Sequence, residues 1–322
     1  MIYAAQMIRL LSAFLLAIAS CAALAQQWPT KTVRIVATLA PGSAVDIVGR
    51  TLAERLAPAL GHPVIVENRP GASTMLAAAA VAKADPDGHT LLVNTSSHTV
   101  SPFVVPNVGF DPERDLAAIT PIATLPTVLV VPASKPYRTL QDLIAAAKAN
   151  PGALNYGSAA SSTQLNAERF KRSASIDAVH IGFKGAPEVL NELIAGRLDF
   201  YFSPVGPALQ LVRDGKLRAL AIGGPKRSGV LPDLPTTIEA GYPDSDYNFW
   251  VGIFAPAKTP REIVNRLYRE TLTAVQAPEV KERLARLGAE PLTMPPDQFD
   301  AYVRKELKTN AVLVKEAGIT GN

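Results

Sequence analysis

The sequence predicts an α/β protein of two lobes joined by a hinge of two chain segments, and three observations predict it. Strand-like and helix-like stretches alternate with short loops, the pattern of open, mostly parallel α/β sheets. Two extended, proline-bearing stretches, 122–131 and 231–256, interrupt that series as crossings between lobes do. With 322 residues, the chain is also long for one core and sufficient for two lobes of ordinary size.

The elements follow in order. Val33–Ala37 reads as a buried strand that runs through Pro41-Gly42-Ser43 into Ala44–Leu60, where apolar residues recur at helical spacing. Strand Val64–Val66, a Pro70-Gly71 turn and an alanine-rich helix over 74–84 come next. Asp85-Pro86-Asp87-Gly88 breaks that helix, and strand Thr90–Val93 follows. Beyond the first crossing, helices over 140–149, 162–171, 187–195 and 207–213 alternate with strands over 154–156, 178–181, 198–202 and 217–222. The second crossing leads through Asn248 to Pro256, and three helical patterns near 260–276, 278–287 and 297–317 end the chain. These boundaries give residues 26–125 and 226–322 to lobe 1 and 126–225 to lobe 2, with a terminal helix free to pack on lobe 2. A discontinuous lobe with a second lobe inserted into it is a hinge architecture, which closes around ligands.

The first residues carry a separate signal. Arg9 is the only charged residue before Lys31; an apolar run over 10–19 follows it, and Ala23-Leu24-Ala25 ends the segment. A basic start, a short apolar run and an A-x-A site predict a signal peptide over 1–25 and hence a periplasmic protein. The run is too short to span a membrane, which takes about 20 apolar residues. Ile18-Ala19-Ser20-Cys21 is an alternative processing site, at which Cys21 would be lipidated and anchor the protein.

Composition excludes several classes. Cys21 is the only cysteine, so no internal disulfide forms. The 32 basic and 28 acidic residues leave a small positive excess, which argues for a mixed-charge surface and against nucleic acid as a partner. His62, His89, His98 and His180 lack metal-ligand spacing, so no metal is expected, and no nucleotide or cofactor motif is present. Without a nucleophile motif no catalytic residue is assigned, although His98 and several serines lie on candidate loops.

In open parallel sheets, ligands bind at the carboxyl ends of strands, where loops meet helix N-termini. Three loops have that position. In the first, Pro41, Gly42, Ser43, Ala44 and Asp46 open a helix whose free N–H groups and partial positive charge suit a carboxylate. The same Ser43-x-x-Asp46 spacing is also a capping box, in which Asp46 serves only its own helix. The second, Asn94-Thr95-Ser96-Ser97-His98, sets hydroxyls and an imidazole after a strand, and also reads as a plain polar turn. The third holds Ser158, Ser161, Ser162, Thr163 and Gln164 at a helix start, with an ordinary N-cap as the other reading. Weaker candidates are Phe183, Lys184, Phe202, Ser203, Phe249 and Trp250. Aromatics at strand ends commonly belong to core or hinge, and Lys184 either pairs a second ligand carboxylate or is simply solvated.

Read together, these pieces resemble the Bug-type periplasmic receptors, the substrate-binding subunits of tripartite tricarboxylate transporters. The likeness runs from about Trp28 to the C-terminus. It rests on Ala40–Asp46, Val66–Ala72, Asp85–Leu92, Leu154–Ala159, Phe183-Lys184-Gly185, Leu193–Arg197, Asp214–Ala221 and Leu231–Thr236 with Glu239-Ala240-Gly241. The resemblance implies a type II periplasmic binding fold with a Venus-flytrap cleft, and ligands that are small carboxylated solutes. It maps the ligand loops onto Pro41, Gly42, Ser43 and Asp46, onto Thr95–His98 and onto Ser158–Gln164, with Phe249 and Trp250 as an aromatic wall. The third loop departs from the family: it is shorter, lacks the usual glycines and has Gln164 where relatives carry histidine. The expectation is a monomeric binding protein, not an enzyme, that delivers a carboxylated metabolite to membrane permease subunits. Two alternatives are a sensor that feeds a kinase and a hydrolase using a serine with His98.

Overall fold

The computed structural model describes residues 28–319. The signal peptide, cleavage after Ala25 and the Cys21 alternative lie outside the described residues. Two sheets form, one per lobe.

In lobe 1, β1 (Val33–Ala37) lies between β2 (Val64–Asn68) and β3 (Thr90–Thr95), parallel to both. Between β1 and β2 runs α1 (Ala44–Leu60), whose Val45, Val48, Leu52, Leu56 and Leu60 are buried at the three- and four-residue spacing that faces a core. Gly61 ends α1 at φ 70°, a left-handed turn that costs glycine little. A short 3-10 turn over 72–74 leads into α2 (Met75–Ala82). Beyond β3, β10 (Trp250–Pro256) is inserted antiparallel, followed by β4 (Leu116–Thr124) and the short β11 (Glu290–Pro291).

Lobe 2 repeats the device. Its sheet runs β7 (Val179–Gly182), β6 (Asn155–Ser158), β8 (Phe200–Pro204), β5 (Thr127–Pro132), β9 (Leu217–Ile222). β6 is parallel to its neighbours, whereas β5 runs antiparallel to both β8 and β9. The helices are α3 (Leu140–Ala149), α4 (Ser161–Ala174), α5 (Ala186–Ile194) and α6 (Val205–Arg213). The sheets are therefore mixed, and the chief reversed strand of each, β10 and β5, is the one by which the chain enters that lobe.

The crossings are hydrogen-bonded to each other. Leu125 N–H donates to Phe249 O at 2.9 Å, Gly223 N–H to Thr127 O at 2.8 Å and Tyr247 N–H to Gly223 O at 2.9 Å. Asn166 of α4 ties them together: its Oδ1 accepts from Thr127 Oγ1 at 2.6 Å, and its Nδ2 donates to Gly223 O and Ser245 O. The proline-rich stretch expected to lead back to lobe 1 first adds a rung to lobe 2, because Ile222 N–H donates to Pro235 O and Thr237 N–H to Ile222 O. Its Val230, Leu231 and Leu234 pack on the lobe-2 core, and the chain crosses at 247–249.

The C-terminal helices are α7 (Arg261–Gln276), α8 (Pro278–Arg286) and α9 (Pro296–Glu316). α9 lays Phe299, Val303 and Leu307 on lobe 1, whereas Val314 joins a small cluster with Val100, Leu165 and Tyr247 drawn from both lobes and the crossing. Its last turn reaches α4 of lobe 2 through Arg172 and Glu316, 3.2 Å apart.

Candidate functional site

A cleft of about 420 Å³ lies between the lobes at the carboxyl ends of β1 and β6. Lobe 1 lines it with Leu39, Gly71–Thr74 and Val104; lobe 2 contributes Ser158, Ala159, Ala160, Gln164, His180, Gly182, Phe183, Lys184 and Glu188. A depression of about 540 Å³ at the opposite ends of β1 and β3 is larger. It lies away from the edge where open α/β sheets bind ligands.

On lobe 1, the loop after β1 becomes the N-terminus of α1. Ser43 caps it by position but not by bonding: its side chain makes no cap hydrogen bond, and its Oγ is buried without a partner. The N–H groups of Ala44, Val45 and Asp46 likewise meet no acceptor among the described residues. Asp46 faces inward. Its carboxylate accepts from Gly42 N–H at 2.9 Å, from Arg50 Nε at 2.9 Å and from Asn68 Nδ2 at 2.9 Å. Those bonds consume Asp46 as the brace of the Pro41–Ser43 turn, so it shapes the site without facing a ligand. Gly42 holds φ +79° in that turn and faces Pro187 of α5 across the cleft.

Past β3, Asn94 Oδ1 accepts from Thr95 N–H at 2.8 Å and from Thr38 Oγ1 at 3.1 Å. The backbone donor fixes the amide orientation, so Nδ2 is a donor, and it is buried without a partner. Thr74 Oγ1 is also buried with no partner among the described residues, whereas Ser96 Oγ is buried beside the Tyr247 hydroxyl. Thr95 Oγ1 caps the next turn by accepting from Ser97 N–H. Ser43, Thr74 and Asn94 are at most 1 % exposed, so their unmet capacity is screened from bulk water.

The third loop behaves differently from the sequence expectation. The first N–H groups of α4, expected to face a ligand, are taken by lobe-1 hydroxyls: Ser161 N–H donates to Ser73 Oγ at 2.8 Å, and Ser162 N–H to Ser97 Oγ at 3.1 Å. Ser162 Oγ also lies 2.8 Å from Ser97 Oγ, and Ser161 Oγ 2.7 Å from Ser101 Oγ. Thr163 closes a box with Ala160. The hydroxyl-bearing residues of this turn bind protein. Of this loop, Ser158 and Gln164 line the cleft.

The remaining lobe-2 wall is polar and nearly neutral. Ser158 Oγ lies 2.7 Å from His180 Nε2. Burial, with Lys171 nearby, depresses His180 to about 4, so it is uncharged at neutral pH. Behind it, Tyr156 bonds Glu168, which also pairs Lys171 at 3.0 Å. Phe183 and Lys184 line the cleft, and no carboxylate pairs Lys184 Nζ among the described residues. The lobes touch here: Ala40 N–H donates to Lys184 O at 3.3 Å, and a Cβ on Gly185 would sit 2.7 Å from that of Ala40.

Five expected site residues lie elsewhere. His98 is fully buried against Phe254 at 4.5 Å between ring centroids, bonds Pro112 O, and is pushed down to about 4 by desolvation. Phe202 packs edge-on to Phe170 in the lobe-2 core, and Ser203 bonds Pro204 O. Phe249 is in the lobe-1 core, its carbonyl holding the crossing. Trp250 packs on Phe299 and donates from Nε1 to Glu306 at 2.8 Å. The aromatic wall is therefore core: each ring lies on the sheet face covered by helices, where apolar area gains most from burial.

Ser73, Thr74 and His180 line the cleft, Ser101 bonds Ser73 beside it, and none of the four was expected. Hydroxyls directly after Pro70-Gly71 were a usable signal for the first two. His180 carries no local mark, because strand pairing alone brings it to the edge.

Residues 48–319 match the family described as tripartite tricarboxylate transporter family receptor. BugT of Bordetella pertussis is 32% identical over 298 residues, 91% of each chain. A solved R. palustris protein with adipate superposes with a TM-score of 0.88 at 32% identity, covering 92% of this chain and 100% of the other. MatC of Rhodopseudomonas palustris, with bound malate, gives a TM-score of 0.83 at 30% identity over 89% and 100%.

Proposed function

The chain belongs to the tripartite tricarboxylate transporter receptor family, and from that premise we propose that it is a periplasmic binding protein that takes a small carboxylated solute between its lobes and hands it to a membrane permease. One observation carries the reading. At the carboxyl ends of β1 and β3, beside a cleft that Thr74 lines, the Ser43 and Thr74 hydroxyls, the Asn94 amide and the first N–H groups of α1 are buried with no protein partner among the described residues. The nearby carboxylate, Asp46, is already spent on three protein donors. A surplus of donors without formal charge selects an anion that accepts several bonds at once. Adipate and malate, held by two relatives of about this similarity, support a carboxylate as that anion.

Magnitudes agree. Micromolar affinity takes about −8 kcal/mol, and helix dipoles supply roughly 0.3–1 kcal/mol each when exposed. Dipoles alone are too weak. Hydrogen bonds to a charged group contribute about 1.5–3 kcal/mol each, so four or five donors supply roughly 6–15 kcal/mol, and closure around the solute's body must offset the motion lost on binding. Lys184 and the Ser158–His180 pair then face the remainder of the solute, and closure removes it from water. No bond need be made or broken: His180 has no carboxylate partner among the described residues, and its low pKa leaves it a poor base at neutral pH.

A thermal-shift screen of the mature chain against mono-, di- and tricarboxylates tests the proposal. A true ligand at 100 times its Kd stabilises by about 2.7 kcal/mol. No stabilisation by any small carboxylate would contradict the reading.

A further inference from the structure

We propose that the Gly71–Thr74 turn is a latch: Ser73, assisted by Ser97, holds the lobes shut by capping α4 of the opposite lobe, so the closed form is populated before solute arrives. The inference rests on the cleft being the binding site and adds how that cleft is regulated.

Ala72, Ser73 and Thr74 stand in succession at φ 45°, 47° and 81°, after Gly71 at φ 135°. Three consecutive L-residues in the left-handed region are held there only when surroundings dictate it. The surroundings come from both lobes: Ser101 and Gly71 of lobe 1 hold the turn's backbone, and Ser161 of lobe 2 holds its hydroxyl. Ser73 Oγ accepts Ser161 N–H at 2.8 Å, and Ser73 O accepts from Ser101 Oγ at 2.5 Å, itself beside Ser161 Oγ. Ser97 Oγ does the same for Ser162 N–H. Helix N-termini require such acceptors, and α4 draws its own from another lobe instead of from a local side chain. Opening the cleft removes those acceptors and frees the strained turn to relax. The turn and α4 are thus a bistable pair, with two hydroxyls as the contact that differs between states. The buried donors without a partner among the described residues, Ser43 and Asn94, are not used by the latch. Solute and latch therefore act together on the closed state, and latching raises affinity by pre-paying closure.

The test is small-angle scattering of the mature chain without solute, as wild type and as Ser73→Gly/Ser97→Ala. Glycine suits φ 47°, so Ser73→Gly removes the hydroxyl while easing the turn, and Ser73→Gly alone serves as a second variant with its fold checked by circular dichroism. The latch predicts a wild-type radius of gyration near the roughly 19 Å of a compact chain of this size. It predicts a larger radius in the double variant and an intermediate one in the single variant. Equal radii for wild type and double variant overturn it, whether both are compact or both are open. Thermal shift with adipate and malate on the same samples judges the binding reading separately: stabilisation of both proteins with equal radii removes the latch alone, and unequal radii without stabilisation remove carboxylate binding by these probes alone.

Discussion

Ser43 is where affinity and stability separate. Its hydroxyl contributes no protein hydrogen bond, so Ser43→Ala should leave the melting temperature unchanged while weakening solute binding about tenfold or more, the loss of one bond to a charged group. Calorimetry and a melting curve on the same samples check both halves. His98 gives the opposite separation. Its folded pKa of about 4 lies below the ordinary 6.5, so the unfolded chain takes a proton first as pH falls. The stability it protects is complete above pH 6.5 and is lost as pH falls towards 4, with a slope approaching about 1.4 kcal/mol per pH unit. In urea titrations across that range, His98→Gln should flatten the slope and leave solute affinity at pH 7 unchanged. The serine loop and His98 were both visible in the sequence as polar residues after strands. What the sequence could not show is direction: Asp46 turns towards Arg50 and Asn68, and His98 towards Phe254, because the fold brings those partners to them from elsewhere in the chain.

At the scale of elements, reading was easiest where one period dominates. α1, α3 and β9 have the boundaries their apolar spacing dictates, since a single buried face sets each. The crossings were legible as extended proline-bearing stretches. The rung that 235–237 adds to lobe 2 was not, because a single pair of backbone bonds leaves no pattern in side chains. The aromatic residues misled for a related reason: Phe249 and Trp250 mark the start of a strand, and only the packing of α1, α7 and α8 around Phe249 and of α9 on Trp250 decides that they are covered. The crossings depend on α4 through Asn166. Asn166→Ala leaves the buried Thr127 hydroxyl and Ser245 O without their partner and takes from Gly223 O one of its two donors, Tyr247 N–H remaining, and should cost about 2–4 kcal/mol by chemical denaturation. A change under 1 kcal/mol would show that the backbone bonds alone hold the crossing.

At the scale of the molecule, binding is closure. Gly185 stands where the lobes meet, in extended backbone that any residue adopts, with room denied only by Ala40 of the other lobe. Gly185→Leu should therefore leave each lobe folded yet keep the lobes apart, reducing solute affinity at least tenfold with little change in the melting temperature without solute. Measured affinity equal to wild type would mean that the lobes need not meet there. The two-lobe plan and the address of the cleft followed from sequence, through strand order and the carboxyl-end rule. The filling of the α4 terminus did not, because contacts between lobes depend on how far the hinge closes. The most direct measurement of the central claim is a calorimetric titration of the best-stabilising carboxylate alongside its uncharged amide. A buried donor cluster built for an anion predicts micromolar or tighter binding of the acid and at least tenfold weaker binding of the amide. Equal affinities would contradict it.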